Sequence, residues 1–530
     1  MLSTVLPDRL RINCEIRFYN WPRRCAMNDK PKRLAPIAIP IHWLMSFIAW
    51  WPILVSGGFS ILKNDMKPKE FLFWISLVLG ILVLTLLWSI VHYLRFTYLV
   101  APDGLTINSG VFIRKINHIP YGRIQTVQRR QWFFLKPLGL EQVSIETAGK
   151  ESKKAEGMLA AVPTTVADAI NRYRQGLTDT PTASASDPTT EGAQTEVTPA
   201  AKTPDAAYKI NAHDLNQYAL TSLGFIPIIT GILWLVQKVQ EYFPDSWYKQ
   251  AEHALTGLAI YLIIALTVIV LVLGFAISYL NILQRYYHFT LDRTGNELQT
   301  SRGFFQTNTV SAQLSRVQAV RFKQSVLRQW FHLSTVQALL ASSAADDEKN
   351  DDLVLMPVIR QRQALTTMQT FISWLPTAAP ELEPIPTRHR WYYVRNIVLG
   401  NFGLIVLPAI LASTLWLHLN WWLWLLPVGL LWLVIVALQG QYAGANAAIG
   451  IAAPDQLVIQ VGETWTRQRY FVRRKDIQAM SFKQSLWMKP RKMAHLEIHI
   501  RKGNNDQSVS SRYMKADLAK RIMSWYQPLP

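Results

Sequence analysis

"RIQTVQRRQ" (Arg123–Gln131), "RVQAVRFKQ" (Arg316–Gln324) and "DIQAMSFKQ" (Asp476–Gln484) are three versions of one nine-residue pattern, each a similar distance after a long apolar stretch. The aligned positions are Ile124, Val317 and Ile477; Gln125, Gln318 and Gln478; Val127, Val320 and Met480; Arg130, Lys323 and Lys483; and Gln131, Gln324 and Gln484. Upstream, Gly110 stands five residues after Leu105 and 14 before Ile124. Leu298, Gly303 and Val317 keep both spacings, and Leu457, Gly462 and Ile477 give 5 and 15. Agreement at so many separated positions marks an internal repeat, one structural unit used again.

The chemistry around the pattern is β. "YLVAPDGLTINSG" reads as strand, turn, strand, with "PDG" as the turn, and "YHFTLDRTGNELQTSRG" repeats that logic around "RTGN". "LEIHIRKGNNDQSVS" reads as a hairpin around "KGNND", whereas "QYAGANAAIGIAAPDQL" makes a poor first strand for the third copy. Each copy closes with a helix-like segment: "TTVADAINRYRQ" (164–175), "RQRQALTTMQTFISW" (360–374) and "MKADLAKRIMSWY" (514–526). Several short strands and one helix predict a small barrel or sandwich capped by that helix.

A bilayer core takes about 20 apolar residues per helix. Six stretches qualify, near 36–62, 71–94, 218–237, 255–280, 396–419 and 421–440, and the second and fourth contain no Asp, Glu, Lys or Arg. The short connections within pairs predict three helical hairpins, with all long segments on one side. The short connections hold five Lys and no Arg; the flanks on the other side hold nine Lys/Arg, namely Lys30, Lys32, Arg33, Arg95, Lys209, Arg285, Arg388, Arg390 and Arg395. That bias places the soluble domains and both termini in the cytoplasm.

Composition agrees. Of 530 residues 50% are hydrophobic, yet the net charge is +20, a mixture that suits membrane segments alternating with basic domains. The chain has 20 Trp, a residue favoured at membrane interfaces. Its two cysteines, Cys14 and Cys25, exclude a disulfide framework and a Cys/His zinc pattern. The first 35 residues hold eight Lys/Arg against three Asp/Glu, and no small-residue cleavage site follows a short apolar core, so no removable signal peptide is expected; Met27 is an alternative start.

The Leu–Gly pairs, the "I-Q-x-V…[RK]-Q" block and the closing helix resemble the bacterial pleckstrin-homology-like (bPH2) family, and more closely its YdbT-type membrane proteins. The resemblance implies a bent antiparallel sheet closed by a C-terminal helix. The fold class expected is therefore a multi-pass α-helical membrane protein, six spans as three hairpins, with three cytoplasmic PH-like β-barrel or sandwich domains. Its layout is a basic leader (1–35), hairpin 1 (36–94), domain 1 (95–177), a Ser/Thr/Pro/Ala-rich linker (178–206), hairpin 2 (218–280), domain 2 (285–376), hairpin 3 (396–440) and domain 3 (441–528). Such a linker is too poor in large apolar residues to bury a core.

Within the pattern, repetition assigns Gly110, Ile124, Gln125, Gln131, Gly303, Val317, Gln318, Gln324, Gly462, Ile477, Gln478 and Gln484 to specifying the fold. The candidates for contact with a partner or an anionic headgroup are Arg123, Arg129, Arg130, Arg316, Arg321, Lys323, Arg473, Arg474 and Lys483, several of them beside aromatics in "RRQWFFLK" and "VRFKQSVLRQWF". Asp476 stands where the other copies have Arg123 and Arg316, so the third face is expected to differ. Such clusters also suit nucleic-acid phosphates, but a domain tethered to a leaflet meets lipid first; the bland alternative is a basic surface without a specific ligand. His495, Glu497 and His499 share one strand face without a visible fourth ligand, and the acidic run "AADDEKNDD" (344–352) lacks the order of a calcium loop. No nucleotide, metallohydrolase or nucleophile-elbow motif is found.

The function expected is a non-enzymatic scaffold of the bacterial inner membrane, without cofactor or metal. Its partners are membrane lipids and a protein, the resemblance suggesting a smaller PH-like membrane protein; a homo-oligomer is compatible, and nucleic acid is not expected. The resemblance also points to envelope stress or antimicrobial-peptide defence. The alternative is a transporter or lipid-handling protein with a pathway between the hairpins, which the scarcity of intramembrane charge disfavours.

Overall fold

A computed structural model describes residues 31–63, 68–147, 157–175, 204–222, 230–231, 259–341, 352–415, 422–503 and 505–527. In chain order the helices used below are α1 (Ala38–Lys63), α2 (Pro68–Arg95), α3 (Thr164–Arg174), α4 (Ala212–Leu220), α5 (Ala259–Tyr286), α6 (Gln361–Phe371), α7 (Thr387–Asn401), α8 (Leu407–Leu415), α9 (Trp422–Asn446) and α10 (Ala516–Tyr526). A π-helical turn, Phe402–Val406, joins α7 to α8.

Among the described residues, four helical stretches are long and apolar enough to cross a membrane: Leu72–Arg95, Thr267–Tyr286, Thr387–Ala412 and Leu426–Asn446. A helix closes its own backbone hydrogen bonds, which is what lets such a segment lie in lipid. The expected span at 218–237 falls largely outside the described residues. In the last pair the backbones touch through small residues. A Cβ on Gly440 would lie 2.7 Å from Val394 Cα, and one on Gly444 would lie 3.1 Å from Arg390 Cβ.

The first β unit contains β1 (Thr97–Ala101), β2 (Gly104–Ser109), β3 (Lys115–Ile119), β4 (Ile124–Trp132), β5 (Leu140–Thr147) and β6 (Gly157–Pro163), closed by α3. The second contains β7 (Ala206–Lys209), β8 (Thr290–Thr294), β9 (Glu297–Arg302), β10 (Gln306–Gln313), β11 (Val317–Gln324), β12 (Leu333–Leu340) and β13 (Asp352–Arg360), closed by α6. The third contains β14 (Glu383–Pro384), β15 (Ala448–Ala453), β16 (Gln456–Glu463), β17 (Thr466–Arg473), β18 (Ile477–Lys483), β19 (Met493–Lys502) and β20 (Asn505–Lys515), closed by α10. Residues 448–453, expected to be a poor first strand, pair with β16 along a ladder that includes Ile449↔Ile459 and Ile451↔Leu457. The small, apolar side chains let Ile449 enter the core at 1% exposure.

Lys32 of the expected leader, and Asp205 and Ala206 of the expected linker, take part in the pairing of the β units. Lys32 bridges Tyr98, β7 pairs with β8, and β14 pairs with β15, so each unit takes a short extended segment from before the apolar helix that leads into it. Burial supplies the reason: Leu34, Ile210 and Ile385 are 5%, 7% and 2% exposed, one buried apolar residue per unit. Residues 178–203 of the linker and most of the acidic run lie outside the described residues.

The units share their sheets. The order β6-β5-β4-β10-β9-β8-β7 joins the second half of unit one to the first half of unit two, and β13-β12-β11-β17-β16-β15-β14 does the same for units two and three. Both junctions use one register: Thr126 faces Ala312 and Ala319 faces Val472, equivalent positions of the repeat. Side chains alternate between the two faces of such a sheet. Val320 therefore enters the core of unit two while Ala319 enters that of unit three, and Phe471 of unit three packs back into unit two. Burying a phenylalanine in this way contributes about 1.5–3 kcal/mol.

Candidate functional site

The repeated pattern forms β4, β11 and β18, of which β4 and β11 are the seam strands. Its first glutamine stands at a register shift in all three copies, between Ile124/Thr126, Val317/Ala319 and Ile477/Ala479, so one extra residue kinks each strand. Its last glutamine donates from Nε2 to a carbonyl nine residues on: Leu140 O at 3.1 Å, Leu333 O at 2.8 Å and Met493 O at 2.8 Å. Gly110 and Gly303 have φ of 105° and 114°, and a Cβ on either would lie 2.0 Å from a carbonyl oxygen, so these turns need glycine. Gly462 differs. There Thr464 and Trp465 take the positive φ, consistent with the one-residue longer spacing, and Gly462 lets the chain pass Ala443.

Most of the candidate cations are engaged within the protein. Arg129 donates to Glu141 at 2.9 Å and Asp168 at 2.6 Å. Arg321 is buried, pairs with Asp352, and reaches across the seam toward Tyr470 Oη at 3.4 Å. Lys323 lies beside it; burial, with Arg321 and Arg328 nearby, lowers its ammonium pKa from the usual range. Arg473 donates to Asp476 at 2.6 Å and to Val317 O across the seam at 3.0 Å, which gives the exceptional Asp476 a structural partner. Arg474 donates to the carbonyls of Tyr526 and Gln527, and Lys483 pairs with Glu497. Arg123 is exposed and Arg316 half-buried, each ending a 3-10 turn. His495 accepts from the Tyr513 N–H at 3.0 Å and His499 pairs with Asp506, so the side chains of "HLEIHI" do not converge; among the described residues no cluster of three metal-ligating side chains occurs.

Arg130 is half-buried at the first seam. In the first seam Arg130, Asn308 and Arg302 form one cross-strand row over β4, β10 and β9. The last turn of α5 adds Asn281, Gln284 and Arg285, spaced to share one helix face. Together they line an open cavity of about 220 Å³, and among the described residues no Asp or Glu lines it. Gln128 fixes Asn308 at 3.3 Å, and Arg302 stacks on Tyr286 at 4.6 Å. Arg285 was visible in the sequence only as a flanking charge, and Arg302 only as the residue before a repeated glycine.

Beside this cavity the loops after β4 and β9 present aromatics. Phe133, Phe304 and Phe305 are 59%, 50% and 47% exposed. The Phe304 N–H donates to Gln284 O at 3.0 Å and the Phe133 N–H to Phe305 O at 2.7 Å, which ties both loops to the end of α5. The other units repeat the arrangement at their own helices: Phe112 lies 5.8 Å from Trp88, and Trp487 lies 5.3 Å from Tyr392. Exposed aromatics thus recur beside the ends of apolar helices, the position that Trp and Tyr favour at a membrane–water interface.

A family model for the bacterial PH domain matches three stretches of the chain, residues 34–177, 250–368 and 397–529. The UPF0699 transmembrane protein YdbT of Bacillus subtilis (strain 168) is 26% identical over 512 residues, which cover 94% of this chain and 99% of that protein. No solved structure matches the chain.

Proposed function

The chain belongs to the bacterial PH domain family, and on that premise we propose that it is a non-enzymatic scaffold of the bacterial inner membrane. In this reading six spans form three hairpins, and the domains and both termini face the cytoplasm, the side favoured by the basic flanks. The domains bind a protein partner by the strand addition that joins them to one another. A role in envelope stress or antimicrobial-peptide defence belongs to the same reading.

The observation that carries it is an unfilled third position. The seam strands β4 and β11 each pair with the third strand of the following unit, whereas β18 pairs only with β19 among the described residues. Thr126 and Ala319 are buried under that following unit, and Ala479, at the same place in the pattern, is exposed. The occupant we infer is the third strand of a PH-like domain on a separate, smaller membrane chain. A second copy of this protein fits less well. Its β3 has five residues against eight in β10 and β17. The shared register would also set Lys115 against Lys483, where the internal seams set Asn308 against Arg130 and Gln468 against Lys323. Like charges directly opposed destabilise a strand pair.

The test is affinity purification of the full chain from its native membrane beside a variant carrying Ala479→Lys and Ser481→Lys. A PH-like membrane chain that enriches with the first and not with the second supports the reading. Absence of any such chain, or enrichment indifferent to the substitutions, overturns it. A light-scattering mass at a multiple of 60.6 kDa that the same substitutions abolish would replace the separate chain with a second copy.

A further inference from the structure

We propose that the loops after β4, β11 and β18 insert their apolar side chains into the membrane leaflet that faces the β units, so that each copy of the repeated strand ends at lipid. The proposal rests on the membrane part of the scaffold reading only, because it uses neither the open edge of β18 nor a partner chain.

The three loops follow the repeated pattern at the same place and expose large apolar side chains there. Phe133 does so in the first, Trp330 and Phe331 are 74% and 63% exposed in the second, and Leu486 is 92% exposed in the third. The turns do not need these side chains on the outside. The Leu140 N–H donates to Leu135 O and the Met493 N–H to Met488 O, each at 3.1 Å, and it is the fully buried Leu135 and Met488 that anchor those two turns. Large apolar residues left exposed at one site three times over mark a surface that something covers.

Where the loops are held says what covers them. Phe133, Phe305, Phe304 and Tyr287 stand in a chain of ring contacts at 6.1, 4.9 and 5.0 Å, which carries the apolar surface at the end of α5 out to the first loop. Gln329, next to Trp330, donates to Tyr442 Oη of α9 at 2.7 Å, and Trp487 lies beside Tyr392 of α7. All three contacts fall where a helix changes from apolar to polar. Helix α5 has no charged or amide side chain from Ala259 to Leu280 and then reads NILQRY; α9 has none from Trp422 to Leu438 and then reads QGQY; α7 carries its last charge at Arg395. Such a change marks the edge of the hydrocarbon, where aromatics gather. Lipid covers the helices at that edge, and the loop side chains held against them share the same cover. The loops add no carboxylate that an anionic leaflet would repel: 133–138, 326–332 and 485–492 contain no Asp or Glu, and the third brings Lys489, Arg491 and Lys492. Insertion also fixes the height of the edge that β18 presents. Its far end at Ile477 stands roughly 20 Å from the loop, at about 3.3 Å per residue, so a strand that joins it in the shared register lies with one end at the lipid surface.

The experiment is a depth measurement by spin label on the full chain in nanodiscs that contain phosphatidylglycerol. With Cys14 and Cys25, the only thiols, replaced by serine, one nitroxide at a time is attached through Phe133→Cys, Trp330→Cys or Leu486→Cys. Collisions with oxygen, which concentrates in hydrocarbon, should exceed those with a water-soluble nickel chelate at all three. The order should reverse at Arg123→Cys and Lys475→Cys, exposed at the opposite ends of β4 and β18. The unsubstituted chain gives a second reading that no folding defect can mask: a phosphatidylglycerol carrying a diazirine at the top of an acyl chain should label residues within 133–138, 326–332 and 485–492. Chelate-favoured collisions at any of the three loops, or absence of the photolabel from them, overturn the proposal. So does a loop shielded from both oxygen and chelate, which a protein rather than lipid would then cover. Val272→Cys, exposed on α5, separates the two readings: if it too favours the chelate, the membrane part of the scaffold reading falls together with the loops. The co-purification through β18 is decided separately.

Discussion

Gly303 holds the turn that carries Phe304 and Phe305 to the end of α5. With φ at 114° and Gln306 O 2.0 Å from an added Cβ, Gly303→Ala forces backbone movement and should cost about 1–3 kcal/mol or more in denaturant unfolding. Gly122→Ala is the control, since nothing lies within 4 Å of its added Cβ, and it should be near neutral. His495 gives a pH prediction. Burial first, then Arg512 and Lys483, depress its imidazolium to about 4, and the neutral ring accepts the Tyr513 N–H. The unfolded state takes a proton near the ordinary histidine value of about 6.5 and the folded state does not. Stability should therefore fall as pH drops from about 6.5 toward 4 and be insensitive to this group above that window. His495→Gln, which retains an acceptor without titrating, should reduce the difference in melting temperature between pH 7.5 and pH 5. An unchanged difference would remove His495 as its source.

At the scale of elements, the second seam is held by apolar packing around one buried ion pair. Arg321 and Asp352 are 9% and 0% exposed, and Lys502 of unit three reaches Asp352 at 3.2 Å. Removing one partner strands the other, so Asp352→Ala should destabilise by about 3–5 kcal/mol, whereas Arg321→Met with Asp352→Leu should recover most of that loss, both read by chemical unfolding. This pair also marks where sequence reading stops. Glycine turns, hairpins and closing helices are local, and the last glutamine of the pattern acts on a carbonyl only nine residues away, so three copies expose its spacing. The pairing of β4 with β10 has no local signature. Ala319 reads as a small strand residue whether it faces water or a neighbouring core. β14 is two residues long, too short for periodicity to register. Arg130 joins Arg285 and Arg302 only once the cross-strand register is known, and that register depends on the shared sheet.

At the scale of the whole molecule the three β units form one array, each unit completing its neighbour. Unit two gives Ala319 and Leu339 to the core of unit three and receives Val458 and Phe471 in return. Stability in such an array is carried by interfaces as much as by single units. Unit two excised with the helices that precede it would expose β10 and β11 along both edges, and unpaired edges of that kind template aggregation. Units two and three together (204–527) would keep the second seam and expose one edge at the first. The expectation is that the pair purifies as a protease-resistant, cooperatively unfolding species, and that unit two alone is aggregated or rapidly cleaved under the same conditions. If unit two alone resists protease as well as the pair does, the seams are contacts between self-sufficient domains, and the shared cores contribute little. If the pair prevails, completion by a neighbouring third strand is a general requirement of these units. Among the described residues, the exposed β18 edge is then a seam position left open in the register used twice elsewhere.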